Sequence, residues 1–257
     1  MKKIVWALTV LAGVGAVACV KKSTQPQIIA HRGFWNTENS AQNSVTALTK
    51  AIELGCFGAE FDVQLTSDGV PVVFHDNTTP NGTDLQNVDY NTLINTADPL
   101  PNGEKIPTLA QYLFAWNHAK TKLILEIKPH RDAGADQRAA QVIMQTIRAF
   151  GTAPEEIEFI SFSQATVKAL AELEFGAPIA YLSGDLTPDE AQALGATGID
   201  YQMDVLRQNH KWISQAHKLG MTVNVWTVTT PEEAAYFAKK GVDYITTDIP
   251  EELRITN

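Results

Sequence analysis

Cysteine is almost missing from this chain: 257 residues carry two, Cys19 and Cys56. A fold stapled by several disulfides is thereby excluded. Positive charge is also scarce, with 20 Lys and Arg against 29 Asp and Glu. Setting aside Lys2 and Lys3 leaves 18 basic against 29 acidic residues, a net charge of −11. So acidic a body does not suit nucleic acid, which rewards clustered Lys and Arg, and is repelled by anionic lipid surfaces. No internal repeat and no low-complexity tract occurs, which excludes a solenoid or a fibre. The longest N-terminal apolar run, IVWALTVLAGVGAVA at 4–18, falls short of the roughly 20 residues that span a bilayer. What is present is an ordinary globular composition, 44% hydrophobic and 19% charged, at a length that can bury one large core.

The apolar run follows Lys2 and Lys3 and stops at Cys19 and a polar KKSTQPQ, the layout of an export signal. Gly15, Ala16 and Ala18 before Cys19 resemble the lipobox of bacterial lipoproteins, in which the cysteine is lipidated and becomes the new N-terminus. The expected organisation is a signal peptide at 1–18, a linker at 19–26 from lipidated Cys19, and a single domain at 27–257. An ordinary cleaved signal and a retained anchor are the alternatives. The expected location is the bacterial cell envelope, with attachment through the anchor. Cys56 then reads as a small core residue.

From residue 27 onwards, eight apolar runs of strand length (27–31, 59–63, 123–128, 158–162, 178–182, 198–202, 222–228 and 243–248) are separated by helical stretches. These stretches are 43–54, 108–119, 135–150, 164–173, 187–194, 207–219 and 231–240. Strands divided by helices pair in parallel, and eight of them at this length close most simply as a (β/α)8 TIM barrel. A ninth run, VPVVFHD, follows the second strand after only about four residues, too few for a parallel crossover of about a dozen. Asp68-Gly69 supplies turn chemistry. The stretch 64–75 is therefore a β-hairpin extension after the second strand, returning His75 towards Glu60 and Asp62 at the end of the barrel where active sites sit. Residues 78–105, rich in Asn, Asp, Gly and Pro, read as a long loop with at most a short helical turn, a candidate flap over the mouth.

On a strand, residues two apart share a face, so Glu60 and Asp62 point into the lumen while Phe61 and Val63 face the helices. Glu126 and Lys128 follow the same rule, and His31 lies on the side of Ile29. Three carboxylates crowded together must be protonated, paired or metal-bound. An all-oxygen set suits one divalent cation, Ca²⁺ or Mg²⁺, better than Zn²⁺. Arg32 and Lys128 add positive charge for an anionic ligand. No G-x-S-x-G nucleophile elbow occurs, and Gly33 stands where a His-x-His zinc pair would need its second histidine. Of the other histidines only His130 lies near a strand end, where it reads as a solvated loop residue.

Together, IIAHRGFWNTEN, GAEFDVQLTSDGVPVVFHD, GEKIPTL, LILEIKP, VNVWTV and GVDYITTDIPEEL resemble the glycerophosphodiester phosphodiesterase family across 28–253. The resemblance implies a (β/α)8 barrel with a divalent metal at its mouth. It implies His31 and His75 as the acid/base pair, Glu60, Asp62 and Glu126 as metal ligands, and Arg32 and Lys128 on the phosphate. Glu38 and Asn39 match the family's Pro-Glu-Asn motif, with Thr37 in place of the proline, and Trp226 matches a tryptophan near the glycerol moiety. The implied reaction is hydrolysis of glycerophosphodiesters to glycerol 3-phosphate and an alcohol, the nucleophile being either an adjacent hydroxyl or water. The alternatives are a phospholipase acting on intact lipid head groups and a non-catalytic solute-binding lipoprotein on the same barrel. No obligate protein partner is implied.

Overall fold

A computed structural model describes residues 25–253. The expected signal peptide, Cys19 and most of the linker lie outside the described residues. The chain runs β1 (Gln27–Ala30), α1 (Val45–Leu54), β2 (Gly58–Leu65), β3 (Pro71–Val73), α2 (Tyr90–Thr96), α3 (Leu109–Trp116), β4 (Lys122–Ile127), α4 (Ala133–Phe150), β5 (Ile157–Ser161), α5 (Gln164–Glu172) and β6 (Ile179–Tyr181). It continues with α6 (Pro188–Ala193), β7 (Gly198–Gln202), α7 (Met203–Gln208), α8 (Lys211–Lys218), β8 (Thr222–Val228), α9 (Pro231–Lys240), β9 (Tyr244–Thr247) and α10 (Pro250–Leu253). All the barrel strands pair in parallel, and β1 bonds both β9 and β2, which closes an eight-stranded barrel and leaves it no edge. β3 is the exception. It runs antiparallel to β2, Val63 opposite Val73, as the short link requires.

The period-2 rule sorts the side chains. Phe61, Val63, Leu125 and Ile127 join α1, α3 and α4 in the outer core, whereas Ile29, Ile124, Ile160, Ala180 and Leu182 fill the lumen. Phe57 and Tyr244, at the N-terminal ends of β2 and β9, stack at 5.1 Å in the same inner cluster. Cys56 is buried in the outer core. The helices start where side-chain oxygens can take their first N–H groups: Ser44 accepts from Ala47, and Thr108 and Thr187 form capping boxes with Gln111 and Glu190.

Two expectations change. The single helix expected at 207–219 is two, because Asn209 leaves helical geometry (φ −113°, ψ 42°) and turns its side-chain amide back to the Val205 carbonyl. Residues 78–105 are not a bare loop either. They hold a 3₁₀ turn at Leu85–Asn87 and helix α2. Leu85, Leu93 and Leu100 pack with Val72, Ile106 and Ala41 into a second small core. None of these residues lines the cavity at the barrel mouth, so the insertion stands beside the mouth on the hairpin. At its far end the Glu104 carboxylate accepts the Val45 and Thr46 amides (2.9 and 3.2 Å), where a negative charge suits the N-terminus of α1.

Candidate active site

His31, Arg32, Glu60, His75, Glu126, Asp200, Trp226 and Thr246 line one cavity of about 170 Å³ at the C-terminal end of the barrel. Sequence-distant elements meet there because β1, β2 and β4 are neighbours, with Asp62 directly opposite Glu126. Glu60, Asp62 and Glu126 are buried (3%, 1% and 7% exposed), and one oxygen of each lies within 4.8 Å of the others.

The turn after β1 is shaped around these acids. Arg32 takes a positive φ of 52°, and its amide donates to the Glu60 carboxylate at 2.8 Å. Gly33 donates to the Glu60 carbonyl at 3.0 Å, and a Cβ there would stand 2.7 Å from the Ala47 backbone, so the HRG glycine is required by close approach as well as by its φ of 74°. The Arg32 Nε sits 3.7 Å from Asp62, and its Nη1 donates to Gln42 at 2.6 Å. Lys128 does not line the cavity. Its Nζ lies 2.9 Å from Glu126 and 3.4 Å from Asp62, within the acidic cluster.

Charge crowding divides the three carboxylates. Burial, then the neighbouring Asp62 and Glu126, holds Glu60 well above the ordinary carboxylate range. Burial and Asp62 push Glu126 up to about 8, against the opposing pull of Lys128. Burial also acts on Asp62, but Lys128, His75, Arg32 and the Asn43 hydrogen bond outweigh it and hold Asp62 below its ordinary value. Carboxylates crowded this closely oppose one another's ionisation, and the nearby cations favour Asp62 as the charged member. The donor set, oxygen only and short of positive charge, fits a hard divalent cation.

Both histidines are oriented by carboxylates. His31 Nδ1 is 2.8 Å from Asp248 Oδ1, which also accepts from Trp35 Nε1 at 3.0 Å, while His31 Nε2 lies 4.0 Å from Glu60. His75 Nδ1 is 2.6 Å from Asp76. Burial, with Lys128 and Arg32, lowers the His75 pKa against the pull of Asp62. Trp226 meets Phe162 edge to face at 5.6 Å and donates its Nε1 to the Asp200 carbonyl at 2.9 Å.

Glu38 and Asn39 are not brought to this site. Both are exposed, neither lines the cavity, and the Lys50 ammonium bonds the Glu38 carbonyl. The polar pair this loop delivers is Gln42 and Asn43, four residues on. Asn43 is 1% exposed, holds a positive φ of 62°, donates to Asp62 Oδ2 at 2.8 Å and accepts the Asp62 amide at 3.0 Å. The signal that could have found it is Ser44, a helix N-cap immediately after Asn43. Asp248 and Asp200 were also missed, although the period-2 rule that places Thr246 and Trp226 in the lumen places them there too.

His130 is neither solvated nor at the mouth. Its side chain is 6% exposed, and its Nε2 accepts the Leu65 amide at 3.1 Å, tying the hairpin to the loop after β4. Burial lowers its pKa, partly opposed by Asp136. Because the folded pKa is depressed, the unfolded chain takes up the proton first, and this stabilisation is lost as pH falls below about 6.5. Chemical denaturation at pH 7.5 and 5.0 checks this: His130→Gln should show a smaller acid loss of stability than the parent protein.

A closed parallel barrel whose C-terminal mouth joins buried acids to basic residues and two carboxylate-oriented histidines is the architecture of a barrel hydrolase. The family model described as the Glycerophosphoryl diester phosphodiesterase family matches residues 31–252. A solved glycerophosphodiester phosphodiesterase from Parabacteroides distasonis is 41% identical, covers 89% of this chain and 95% of its own, and superposes with a TM-score of 0.86. A glycerophosphodiester phosphodiesterase of Caldanaerobacter subterraneus is 28% identical over 240 residues, 88% of this chain and 95% of its own. An Oleispira antarctica phosphodiesterase solved with the product sn-glycerol-3-phosphate shares the fold at 22% identity and a TM-score of 0.79, over 90% of this chain and 96% of its own. The chain belongs to the glycerophosphodiester phosphodiesterase family and is a phosphodiesterase.

Proposed function

We propose that the protein hydrolyses glycerophosphodiesters to glycerol 3-phosphate and an alcohol, with one divalent cation, Ca²⁺ or Mg²⁺, held by Glu60, Asp62 and Glu126. The observation that carries the reading is the meeting in one cavity of two carboxylate-oriented histidines with Glu60 and Glu126, which cluster with the buried Asp62 behind them. When bound, the cation supplies Lewis-acid stabilisation of the charge that grows on the phosphoryl oxygens. Arg32 orients the phosphate from the same side, while Lys128 balances the charge of Asp62 and Glu126. One histidine accepts the proton of the attacking hydroxyl or water and the other gives a proton to the departing alcohol. Asp248 and Asp76 hold the rings so that each Nε2 is left for this exchange. Trp226 and Phe162 wall off the cavity.

The small size of that cavity, about 170 Å³, favours a deacylated diester over an intact lipid. Glycerophosphocholine and glycerophosphoethanolamine should be cleaved, and phosphatidylcholine vesicles left intact under the same conditions. Release of diacylglycerol or phosphatidate from vesicles at a comparable rate would favour the phospholipase reading. A non-catalytic solute-binding role is disfavoured because His31, His75 and the three acids are all present and assembled.

For the N-terminus we propose an export signal at 1–18, lipidation at Cys19, a linker at 19–26 and one catalytic domain at 27–257, anchored to the cell envelope. The apolar run, its cysteine and the acidic body support this. Among the described residues no helix is long and apolar enough to cross a membrane. Cys19→Ala should move the protein from the membrane to the soluble fraction, and an unchanged distribution would remove the anchor.

A further inference from the structure

We infer that Asp200, with Thr246, forms a hydroxyl-recognising floor to the mouth cavity and selects substrates whose phosphate is borne by a small polyol. The inference rests on the phosphodiester reading above and adds to it the residue that reads the alcohol carbon chain. Asp200 belongs to none of the acid, base or cation roles.

Asp200 sits on β7 opposite Asn224 of β8, is 2% exposed, and lines the cavity. Its Oδ1 is buried and has no hydrogen-bond partner among the described residues. Buried polar atoms are nearly always paired, so an unpaired carboxyl oxygen in the wall of a cavity marks a position that something in the cavity must satisfy. Thr246 is placed to help. Its hydroxyl accepts from Asn224 Nδ2 at 2.8 Å, which leaves its own proton free to donate, and it too is buried and lines the cavity.

The remaining walls settle the chemistry of the occupant. Ile160, Phe162, Leu182 and Trp226 are apolar, so two polar groups face a small space bounded by hydrocarbon and aromatic rings. A fully polar ligand would leave its groups unpaired against those walls, and a plain alkyl chain would leave Asp200 and Thr246 unpaired. A short chain of alternating C–H and O–H groups satisfies both. Arg32, which orients the phosphate, and the acid/base pair His31 and His75 open on the same cavity, so a phosphate there and a polyol on the floor belong to one molecule. Burial, with Glu158 nearby, also keeps the Asp200 carboxyl well above the ordinary carboxylate range, against the opposing pull of Asn224.

The test compares two ligands of equal length, glycerol 3-phosphate and n-propyl phosphate, titrated calorimetrically into the Ca²⁺-loaded protein. The parent protein should bind glycerol 3-phosphate at least about tenfold more tightly, because a site built to bond hydroxyls discriminates against an analogue lacking them. Asp200→Leu should bring that ratio close to one while the affinity for propyl phosphate stays within about threefold, and Asp200→Asn, whose amide offers both a donor and an acceptor to a hydroxyl, should retain most of the preference. Asp200→Ala replaces the leucine variant if the latter does not fold. Equal binding of the two esters by the parent protein, a measurement that needs no variant, overturns the inference and leaves the phosphodiester reading standing. A preference undiminished in both Asp200→Leu and Asp200→Ala also overturns it. Failure to bind either ester removes both readings.

Discussion

His31→Ala and His75→Ala should each lower turnover of glycerophosphocholine by about 10²- to 10⁴-fold, the range typical of a general acid or base. The effect should fall on kcat rather than KM, because the imidazoles act when a proton moves, whereas Arg32 and the acidic cluster hold the ground state. The two variants should then separate on a substrate with a good leaving group. A glycerophospho-p-nitrophenol ester needs no proton on its departing oxygen, so the variant lacking the acid should recover most of its loss on it and the variant lacking the base should not. This comparison assigns the two roles, which the symmetric support of His31 by Asp248 and His75 by Asp76 leaves open. Near-full turnover by both alanine variants would remove the histidines from the chemistry.

Removing the cation should be as damaging. A metal acting as Lewis acid contributes several kcal/mol to a transition state, so exhaustive chelation should cost at least about 10³-fold, restored by Ca²⁺ or Mg²⁺. Asp62 is the acid to change, because it joins Asn43, Arg32 and Lys128 and is the member held ionised. Asp62→Asn keeps the shape of the side chain and removes its charge. A cation that binds only the folded protein also raises its melting temperature. The parent protein should therefore melt higher with Ca²⁺ than with chelator, and Asp62→Asn should show little of that difference while still folding. An equal rise in both proteins would place the bound ion elsewhere.

The architecture was legible because alternation along a strand is a two-residue rule that needs no partner to be known. AEFDV and LILEIK thus placed Glu60, Asp62 and Glu126 in the lumen, and the brevity of TSDG forced β3 to turn back. What could not be read was whatever depends on cooperation between distant segments. Residues 78–105 carry few apolar residues in any window, but Leu85, Leu93 and Leu100 find their core on Val72 and Ile106 of flanking segments. Polar composition alone therefore suggested a loop. His130 looked solvated for the same reason: its partner, the Leu65 amide, lies 65 residues away.

The loop after β1 shows a different failure. Glu38-Asn39 has the right residue types, but residue type alone sets no register, and the register there is set by the N-cap Ser44 and by the left-handed turns at Arg32 and Asn43. Those turns bring Asn43 onto Asp62 and leave Glu38 and Asn39 in solvent. Asp248 and Asp200 were readable by alternation but lacked a neighbouring motif to draw attention to them.

The most direct test is product analysis of glycerophosphoethanolamine treated with the purified protein, once with Ca²⁺ and once after exhaustive chelation. Glycerol 3-phosphate and ethanolamine formed only with the cation are the expected result. Undiminished turnover without it, or release of phosphoethanolamine in place of glycerol 3-phosphate, would contradict a cation-assisted glycerophosphodiesterase at the mouth of this barrel.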